Sequence, residues 1–363
     1  MECCGKQIWT NLTKETLGRL MIGRPDEGIR GAVKANWDAI AKPLDGMGRF
    51  EEMTAQIGAI TGDERLDLSK KAVLIFCADN GIVAEGVSQT GQEVTFAVAK
   101  SMAWNASSVG RMARFAGADT IPVDIGINSD ITIDGVMDKK IAHGTRNFLI
   151  EPAMSEEETL RAIETGIALV AECKDKGYRI LATGEMGIGN TTTSSAVAAA
   201  LLGCGSALVV GRGAGLSDAG LARKQEVVES AIKKYKLYEA DAFTVLRTVG
   251  GLDIAGLAGM CIGGALYHVP IVLDGVISMA AALAADRIVP GVREYVLASH
   301  KGKEPAVELL TGALSLYPVI DANLALGEGT GAVMMFSMLD MALCIYHEET
   351  TFADISVGQY ERF

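Results

Sequence analysis

The chain has 363 residues, of which 49% are hydrophobic and 21% are charged, and its formal net charge is −12. This length exceeds what one small core supports, and the composition is that of a packed globular protein rather than a disordered one. The negative charge argues against non-specific binding to nucleic acid or to anionic membranes, although a local positive pocket can still bind a small anion.

The predicted elements begin with a helical pattern over residues 11–41, which is interrupted near residues 23–25 and at Gly28. A turn follows and leads into a helix ending near Gly62. Helical patterns then alternate with short apolar runs, and another helical pattern covers residues 334–347. Such alternation predicts a mainly parallel sheet with helices on both faces. The four predicted strands are residues 72–77, 120–126, 178–182 and 270–273.

The long apolar stretch over residues 250–285 is interrupted by Asp253, His268 and Asp274. We interpret it as a helix, a strand and a second helix in a core, and no membrane span is expected. The start of the chain lacks the charged-then-apolar pattern of a signal peptide. Cytoplasmic localisation is therefore expected.

Cysteines and histidines give no sign of a metal site or a disulfide framework, because their spacing matches no metal-binding or disulfide pattern. Reduced thiols, no metal and no cofactor are expected. The residues are Cys3, Cys4, Cys77, Cys173, Cys204, Cys261, Cys344, His143, His268, His300 and His347.

Each predicted strand ends close to an acidic residue and a glycine: the acids are Asp79, Asp124, Glu185 and Asp274. In open parallel sheets, ligands bind beyond the carboxyl ends of the strands. These acids are therefore predicted to gather along one edge of the sheet, and this convergence indicates a site there. The alternative is that strand-end acids cap helices, and it applies most to Asp124 and Asp274.

The segment 326–332 places Glu328 between two glycines in apolar surroundings. Glycine lets the backbone approach a ligand closely, and a carboxylate that loses hydration there acquires the raised pKa of a general base. Residues 184–193 repeat the combination with Glu185. A tight turn with an incidental acid explains either segment alone, but two together indicate an active site.

Two glycine-rich turns are candidates for binding an anion. Residues 184–193 precede an alanine-rich helix, whose first N–H groups are free to bind a phosphate. Residues 211–215 precede a helix with Arg223 and Lys224, for which a solvated basic face is the alternative. Neither turn has the spacing of a P-loop or a dinucleotide fingerprint, which disfavours a dehydrogenase. Glu328 as a base and Lys224 at a phosphate suit group transfer on a phosphorylated sugar.

Blocks over nearly the whole chain match one family. They are residues 42–49, 78–81, 85–88, 92–95, 123–126, 144–148, 184–192, 211–213, 273–275, 299–300 and 326–332. Through these blocks the chain resembles the nicotinate-nucleotide–dimethylbenzimidazole phosphoribosyltransferase family, which prepares the lower ligand of cobamides.

The resemblance implies transfer of phosphoribose from nicotinate mononucleotide to an aromatic base, with inversion from a β-linked to an α-linked sugar. Glu328 is then the general base, Glu185 lies near the developing charge of the ribose, and Lys224 lies at the phosphate. The residues implied to bind ribose and phosphate are Glu185, Gly187, Gly189, Asn190, Thr191, Gly211, Arg212 and Lys224. Those implied to line the acceptor pocket are Ser88, Gln92, Met186 and Leu326.

The resemblance also implies a doubly wound α/β fold with a small helical domain from both chain ends. The corresponding boundaries are residues 1–62 plus 333–363 for the helical domain and 63–332 for the large domain with the active site. Family members are dimers in which the partner completes each site, so a dimer is expected.

Three positions depart from the usual family pattern: Asn80 replaces a histidine, Ala325 an arginine and Gly302 a serine. Hydrogen bonds to charged groups are worth roughly 1.5–3 kcal/mol each, so nucleotide binding would weaken unless Lys301 or Lys303 compensates.

These departures leave a second hypothesis, in which the chain is one subunit of a heterodimeric enzyme that accepts phenols. A noncatalytic nucleotide sensor is a third, which no residue favours. Glu328 serves a benzimidazole or a phenol acceptor equally well, so the acceptor is left open.

Overall fold

The computed structural model describes residues 12–347 and 350–362, so Cys3 and Cys4 lie outside the described residues. The main sheet has six strands in the order β3-β2-β1-β4-β5-β6, and every neighbouring pair is parallel. Its strands are β1 (Lys71–Ala78), β2 (Ala118–Gly126), β3 (Met137–Asp138), β4 (Ile180–Met186), β5 (Ile271–Leu273) and β6 (Val296–Ala298). This confirms the predicted α/β class.

The four predicted strands correspond to β1, β2, β4 and β5. The sequence did not indicate the two-residue β3, the edge strand β6 or a second, two-stranded parallel sheet. That sheet pairs β7 (His300–Gly302) with β8 (Ile320–Leu324). The strand order reverses between β1 and β4, and ligands of doubly wound folds bind at such a reversal, beyond the carboxyl ends of the strands.

Thirteen α-helices occur in the described residues, and the first predicted helix is interrupted between α1 and α2. The helices are α1 (Lys14–Gly18), α2 (Glu27–Ala39), α3 (Arg49–Thr61), α4 (Glu93–Ala103), α5 (Ser108–Phe115), α6 (Glu156–Asp175), α7 (Asn190–Leu202), α8 (Asp218–Tyr235), α9 (Ala242–Val249), α10 (Leu252–Tyr267), α11 (Val276–Ile288), α12 (Ala306–Leu314) and α13 (Thr330–His347).

Strand β1 is buried on both faces, which accounts for its continuous apolar sequence. Leu74 and Phe76 pack towards a core built with α6, α7, α10 and α11. Val73 and Ile75 pack towards a second core built with α2, α3, α5 and α13. Helices α6 and α10 approach closely through glycines, since a Cβ at Gly259 would collide with the carbonyl oxygen of Ile163.

The two chain ends meet on the second of these faces. The rings of Trp37 and Tyr346 lie 5.1 Å apart, and Ile40 forms an antiparallel bridge with Thr351. Helix α13 also packs against β4 and β5. The helices of both ends therefore cover the sheet, and their separation as a small domain stays a prediction.

Among the described helices, α13 alone is long and apolar enough to cross a membrane by length and composition, although 56% of that window is buried. A helix packed on a sheet passes the same test, so this is weak evidence for a span. The predicted helix, strand and helix of residues 250–285 are confirmed as α10, β5 and α11, all largely buried.

Candidate active site

A cavity of about 300 Å³ opens beyond the carboxyl ends of β4 and β5. Seven of the predicted site residues line it, together with the strand-end acid Asp274. These seven are Glu185, Met186, Gly187, Asn190, Thr191, Leu326 and Glu328. The sheet thus brings both glycine-and-glutamate segments to one place, as the sequence predicted.

Glu328 lies in a tight loop between β8 and α13. Its φ is +62°, between Gly327 at +81° and Gly329 at +95°, so a non-glycine residue adopts a left-handed conformation there. Such strain is concentrated at functional sites. A Cβ at Gly184 would lie 2.7 Å from the carbonyl oxygen of Glu328, which is why β4 carries a glycine where the loop crosses it.

The environment of Glu328 raises the pKa of its carboxyl. Burial is the largest cause and the nearby Asp274 adds to it, while the N–H of Val109 opposes them by donating to Oε2 at 3.2 Å. A half-buried carboxylate with one hydrogen bond is a suitable proton acceptor.

Of the four strand-end acids, only Glu185 and Asp274 reach the cavity. Asp274 accepts hydrogen bonds from the N–H groups of Gly329 (3.2 Å), Gly331 (2.8 Å) and Ala332 (3.1 Å). It therefore caps the start of α13, as the alternative interpretation proposed, although for a helix far along the chain. Its position also fixes the loop that carries Glu328.

All four acids lie at the carboxyl edge of the sheet, as predicted, but Asp79 and Asp124 do not line the cavity. Asp124 accepts from the N–H of Ile127 at 2.8 Å and forms an ion pair with Lys140 at 3.1 Å. Asp79 accepts from the N–H of Asn128 at 2.8 Å. Both carboxylates hold the loop after β2.

Glu185 belongs to a buried polar cluster. The Nδ2 group of Asn190 donates to Glu185 Oε2 and, at 3.1 Å, to Asp253 Oδ2. Burial, and then the charge of Asp253, raises the pKa of Glu185 to about 8. Burial also raises the pKa of Asp253 to about 6. Sequence reasoning noted Asp253 only as an interruption of an apolar stretch.

Lys224 lies behind Thr191 and is completely buried. Its Nζ donates to Thr191 Oγ1 at 2.8 Å and to the carbonyl oxygen of Gly211 at 3.2 Å. Burial lowers the pKa of Lys224 to about 8. The carboxylate of Glu304, which the sequence did not single out, accepts from the N–H of Gly213 at 3.1 Å. Lys224, the 211–215 turn and the start of α7 thus form a corner that is suited to binding an anion, and we call it the anion corner.

The remaining predicted residues lie around a second cavity of about 80 Å³ or outside both. Ser88, Gly189 and Arg212 line the smaller cavity, which shares a wall with the larger one. Arg212 is paired with Asp218. Gln92 lines neither cavity, and its Nε2 donates to the carbonyl oxygen of Asn80 at 3.3 Å.

The three departures from the family pattern differ in surroundings. Ala325 and Gly302 line the large cavity, as does Lys303. Lys301 instead forms a 2.7 Å ion pair with Glu308. Asn80 is buried, and its Oδ1 has no hydrogen-bond partner in the described part of the chain.

One group of acids in the described ranges has the spacing of metal ligands, namely Asp38, Asp45 and Glu51. Arg362 pairs with both aspartates and Lys42 pairs with the glutamate. Their charges are thus matched within the chain, and none of the three lines the cavity.

Comparison with known proteins matches residues 22–357 to a family model described as phosphoribosyltransferase, DBI_PRT. A nicotinate-nucleotide–dimethylbenzimidazole phosphoribosyltransferase of Clostridium tetani is 40% identical over 98% of this chain and 97% of its own length. A protein of the same name from Ruminiclostridium cellulolyticum is 43% identical over 89% and 92%. The crystal structure of CobT from Thermus thermophilus superposes with a TM-score of 0.87 at 34% identity, covering 92% of this chain and 100% of that one.

Proposed function

The chain belongs to the nicotinate-nucleotide–dimethylbenzimidazole phosphoribosyltransferase family, and from that premise we propose that its cavity transfers phosphoribose from nicotinate mononucleotide to an aromatic base such as dimethylbenzimidazole, a step of cobamide synthesis. One observation carries the proposal. Glu328, Glu185 and the anion corner next to Thr191 meet at a single cavity at the carboxyl ends of the strands.

In the proposed reaction the acceptor nitrogen attacks C1′ of the ribose from the face opposite the nicotinate. The bond from C1′ to the pyridinium nitrogen breaks, its electron pair returns to that nitrogen, and nicotinate leaves uncharged at the ring nitrogen. Glu328 takes the proton that the acceptor loses. General base catalysis of this kind contributes about 10²- to 10⁴-fold.

The phosphate is proposed to bind at the corner formed by Lys224, the 211–215 turn and the start of α7. The buried ammonium and the positive end of the α7 helix dipole both favour an anion. The carboxylate of Glu304 now accepts from Gly213 in this corner, so the phosphate would replace it. Gly187, Gly189, Asn190 and Gly211 are proposed to shape the corner, and Arg212 to border it.

The acceptor is proposed to lie against the apolar part of the large cavity, which includes Val98, Met186 and Leu326. Ser88 is proposed to contact it from the adjoining cavity, whereas Gln92 supports the loop around Asn80. Benzimidazoles fit an apolar slot with a base at one end. Phenols remain acceptors to test, because a phenol also has a proton for Glu328 to remove. In a phenol that proton is on the attacking oxygen, whereas in a benzimidazole it is on the ring nitrogen opposite the attacking one.

We also propose a cytoplasmic homodimer that uses an apolar face on α5 and α13. Phe115 is 88% exposed, Met341 63% and Ile345 40%, and the two helices pack against each other. Exposed apolar patches of this kind are typical of subunit interfaces.

No observation favours the heterodimeric alternative over this proposal, because the chain itself keeps Glu328, Glu185 and Lys224. The proposal is tested by following nicotinate release from nicotinate mononucleotide with dimethylbenzimidazole and with phenol. We expect release that requires an acceptor and that falls about 10²- to 10⁴-fold in Glu328→Gln. The control is Glu157→Gln, which changes an exposed residue of α6.

Folded wild-type protein that releases no nicotinate with either acceptor would contradict the proposal. Full activity of Glu328→Gln would be consistent with the proposed reaction but would show that Glu328 is not its general base. Activity with phenol alone would change the acceptor class.

A further inference from the structure

Asp253 lies in the first turn of α10 and does not line the cavity, but it accepts a hydrogen bond from Asn190, which does. Its side chain is completely buried. Its Oδ2 accepts from Asn190 Nδ2 at 3.1 Å, and its Oδ1 accepts from the N–H of Ile254 at 2.9 Å. The same amide group of Asn190 donates to Glu185 Oε2. One NH₂ group therefore fixes the distance between two carboxyl groups.

The charges around this pair are negative. Asp253, Asp274 and Glu328 all act on Glu185, and Asp79 acts on Asp253. The thiol of Cys77, also nearby, is neutral because burial raises its pKa well above the usual range. Two buried carboxylates that share one amide, with no cation beside them among the described residues, do not both ionise readily, so the pair retains a proton at neutral pH.

The hydrogen bonds indicate which residue carries that proton. Asp253 accepts from two N–H groups, those of Asn190 and Ile254, whereas Glu185 accepts from Asn190 alone in the described part of the chain. The better-satisfied carboxylate is the better anion. The other oxygen of Glu185, Oε1, faces the Glu328 loop, because a Cβ at Gly327 would lie 2.9 Å from it.

We propose that Asp253 is a positioning residue that, through Asn190, keeps Glu185 protonated and directs its Oε1–H into the cavity as a hydrogen-bond donor to the sugar of the substrate. This inference rests on the proposed function. It changes the role implied by the resemblance, since a neutral Glu185 binds the ribose as a donor and does not act as an anion beside its developing charge. A neutral side chain also avoids a further negative charge where a phosphorylated substrate binds.

The first test is independent of turnover. The titration of the Glu185 carboxyl is followed by ¹³C NMR in the full chain, with Glu185→Gln used to assign the signal. We expect the wild-type signal to titrate above neutral pH and to move down by about 1 to 3 pH units in Asp253→Asn, which removes one nearby charge. The control is Asp124→Asn, another buried carboxylate that accepts a backbone N–H.

The second test measures kcat and KM at pH 6.5 and does not require Asp253→Asn to fold. Glu185→Gln keeps a neutral donor, so we expect its kcat/KM within about tenfold of wild type. Glu185→Ala, which lacks the donor, is expected to raise KM more than the glutamine variant.

A Glu185 signal that titrates below pH 5, or that does not move in Asp253→Asn, would overturn the inference. Loss of activity in Glu185→Gln equal to that in Glu185→Ala would also overturn it, because it would require an anionic Glu185. Absence of wild-type turnover would instead contradict the proposed function. The protonation state of Glu185 would then be judged from the NMR titration alone.

Discussion

Lys224 on α8 donates a 2.8 Å hydrogen bond to the hydroxyl of Thr191 in the first turn of α7. Among the described residues this is the only lysine that is completely buried, and the contact ties it to the helix start that faces the cavity. A buried ammonium is costly unless an anion joins it. The pair is therefore a binding element whose strength depends on the charge of the lysine.

We expect the affinity for ribose 5-phosphate to fall as the pH rises through about 8, the pKa to which burial lowers Lys224. Lys224→Met should remove this dependence and weaken binding by about 1.5–3 kcal/mol. Calorimetric titration between pH 6.5 and 9.5 measures both effects. Lys233→Met, on the exposed face of the same helix, should bind as wild type does. Equal pH dependence in wild type and Lys224→Met would exclude the lysine as its source.

The same lysine predicts how stability changes with pH. Its pKa is lower in the folded chain than the usual 10.5, so the unfolded chain binds more protons between about 8 and 10.5. The free energy of unfolding should therefore rise with pH across this window in wild type, compared with Lys224→Met. Denaturant unfolding at pH 7.5 and 9.5 compares the two proteins. If the free energy of unfolding of wild type, relative to that of Lys224→Met, fell between pH 7.5 and 9.5, the lysine would instead be stabilised as a cation in the folded chain.

We expect Lys303, and not Lys301, to supply the positive charge that Ala325 lacks. Lys303 lines the cavity, whereas Lys301 is engaged with Glu308. Lys303→Ala should raise KM for nicotinate mononucleotide about three- to tenfold with little change in kcat, as for loss of uniform binding. Lys301→Ala is the matched control. If both variants have the wild-type KM, neither lysine compensates.

A charge on the α5 and α13 face should separate the proposed dimer. Met341→Glu places a carboxylate on this face, and we expect the mass measured by light scattering to fall from dimer to monomer. Leu208→Glu changes a residue that is similarly exposed elsewhere, and it should leave the mass unchanged. A wild-type monomer at micromolar concentration, or a dimer that persists in Met341→Glu, would contradict the proposed interface.

Two glycines with different surroundings, Gly259 in the contact between α6 and α10 and Gly312 in α12, are predicted to respond oppositely to substitution by alanine. Gly259→Ala should lower the free energy of unfolding by about 1–3 kcal/mol, because its Cβ would meet the backbone of Ile163. Gly312→Ala, inside α12 with open space around it, should raise it by about 0.4–1 kcal/mol. Chemical denaturation measures both. Equal signs for the two variants would contradict this account of the packing.

Local sequence was sufficient for the features that depend on local chemistry. The continuous apolar run of β1 predicts a strand that is buried on both faces, because each face needs apolar side chains. The glycines on either side of Glu328 predict a tight loop, because glycine adopts a positive φ without strain. The short strands β6 and β7 were missed. Strand β5 is equally short, but it was predicted together with the acid and glycine at its end, Asp274 and Gly275.

Partners distant in the chain could not be read from the sequence. Asp274 caps α13 more than fifty residues later, and Glu304 reaches the turn at Gly213 across about ninety. Asp253 resembled an incidental interruption because its importance comes from Asn190, which precedes it by 63 residues. The resemblance supplied Asn190, Gly213 and Asp274, but not their partners Asp253 and Glu304 or the hydrogen bonds that join them.

The pairing of Trp37 with Tyr346 affects how the protein is made. The second face of the sheet has no cover from α13 until that helix has been synthesised, about 300 residues after Trp37. At translation rates of about 5–20 residues per second, the indole waits for roughly 15–60 s, and the strands, which are synthesised later, wait for less. During that interval the nascent chain presents to chaperones the same surface that the finished protein keeps buried.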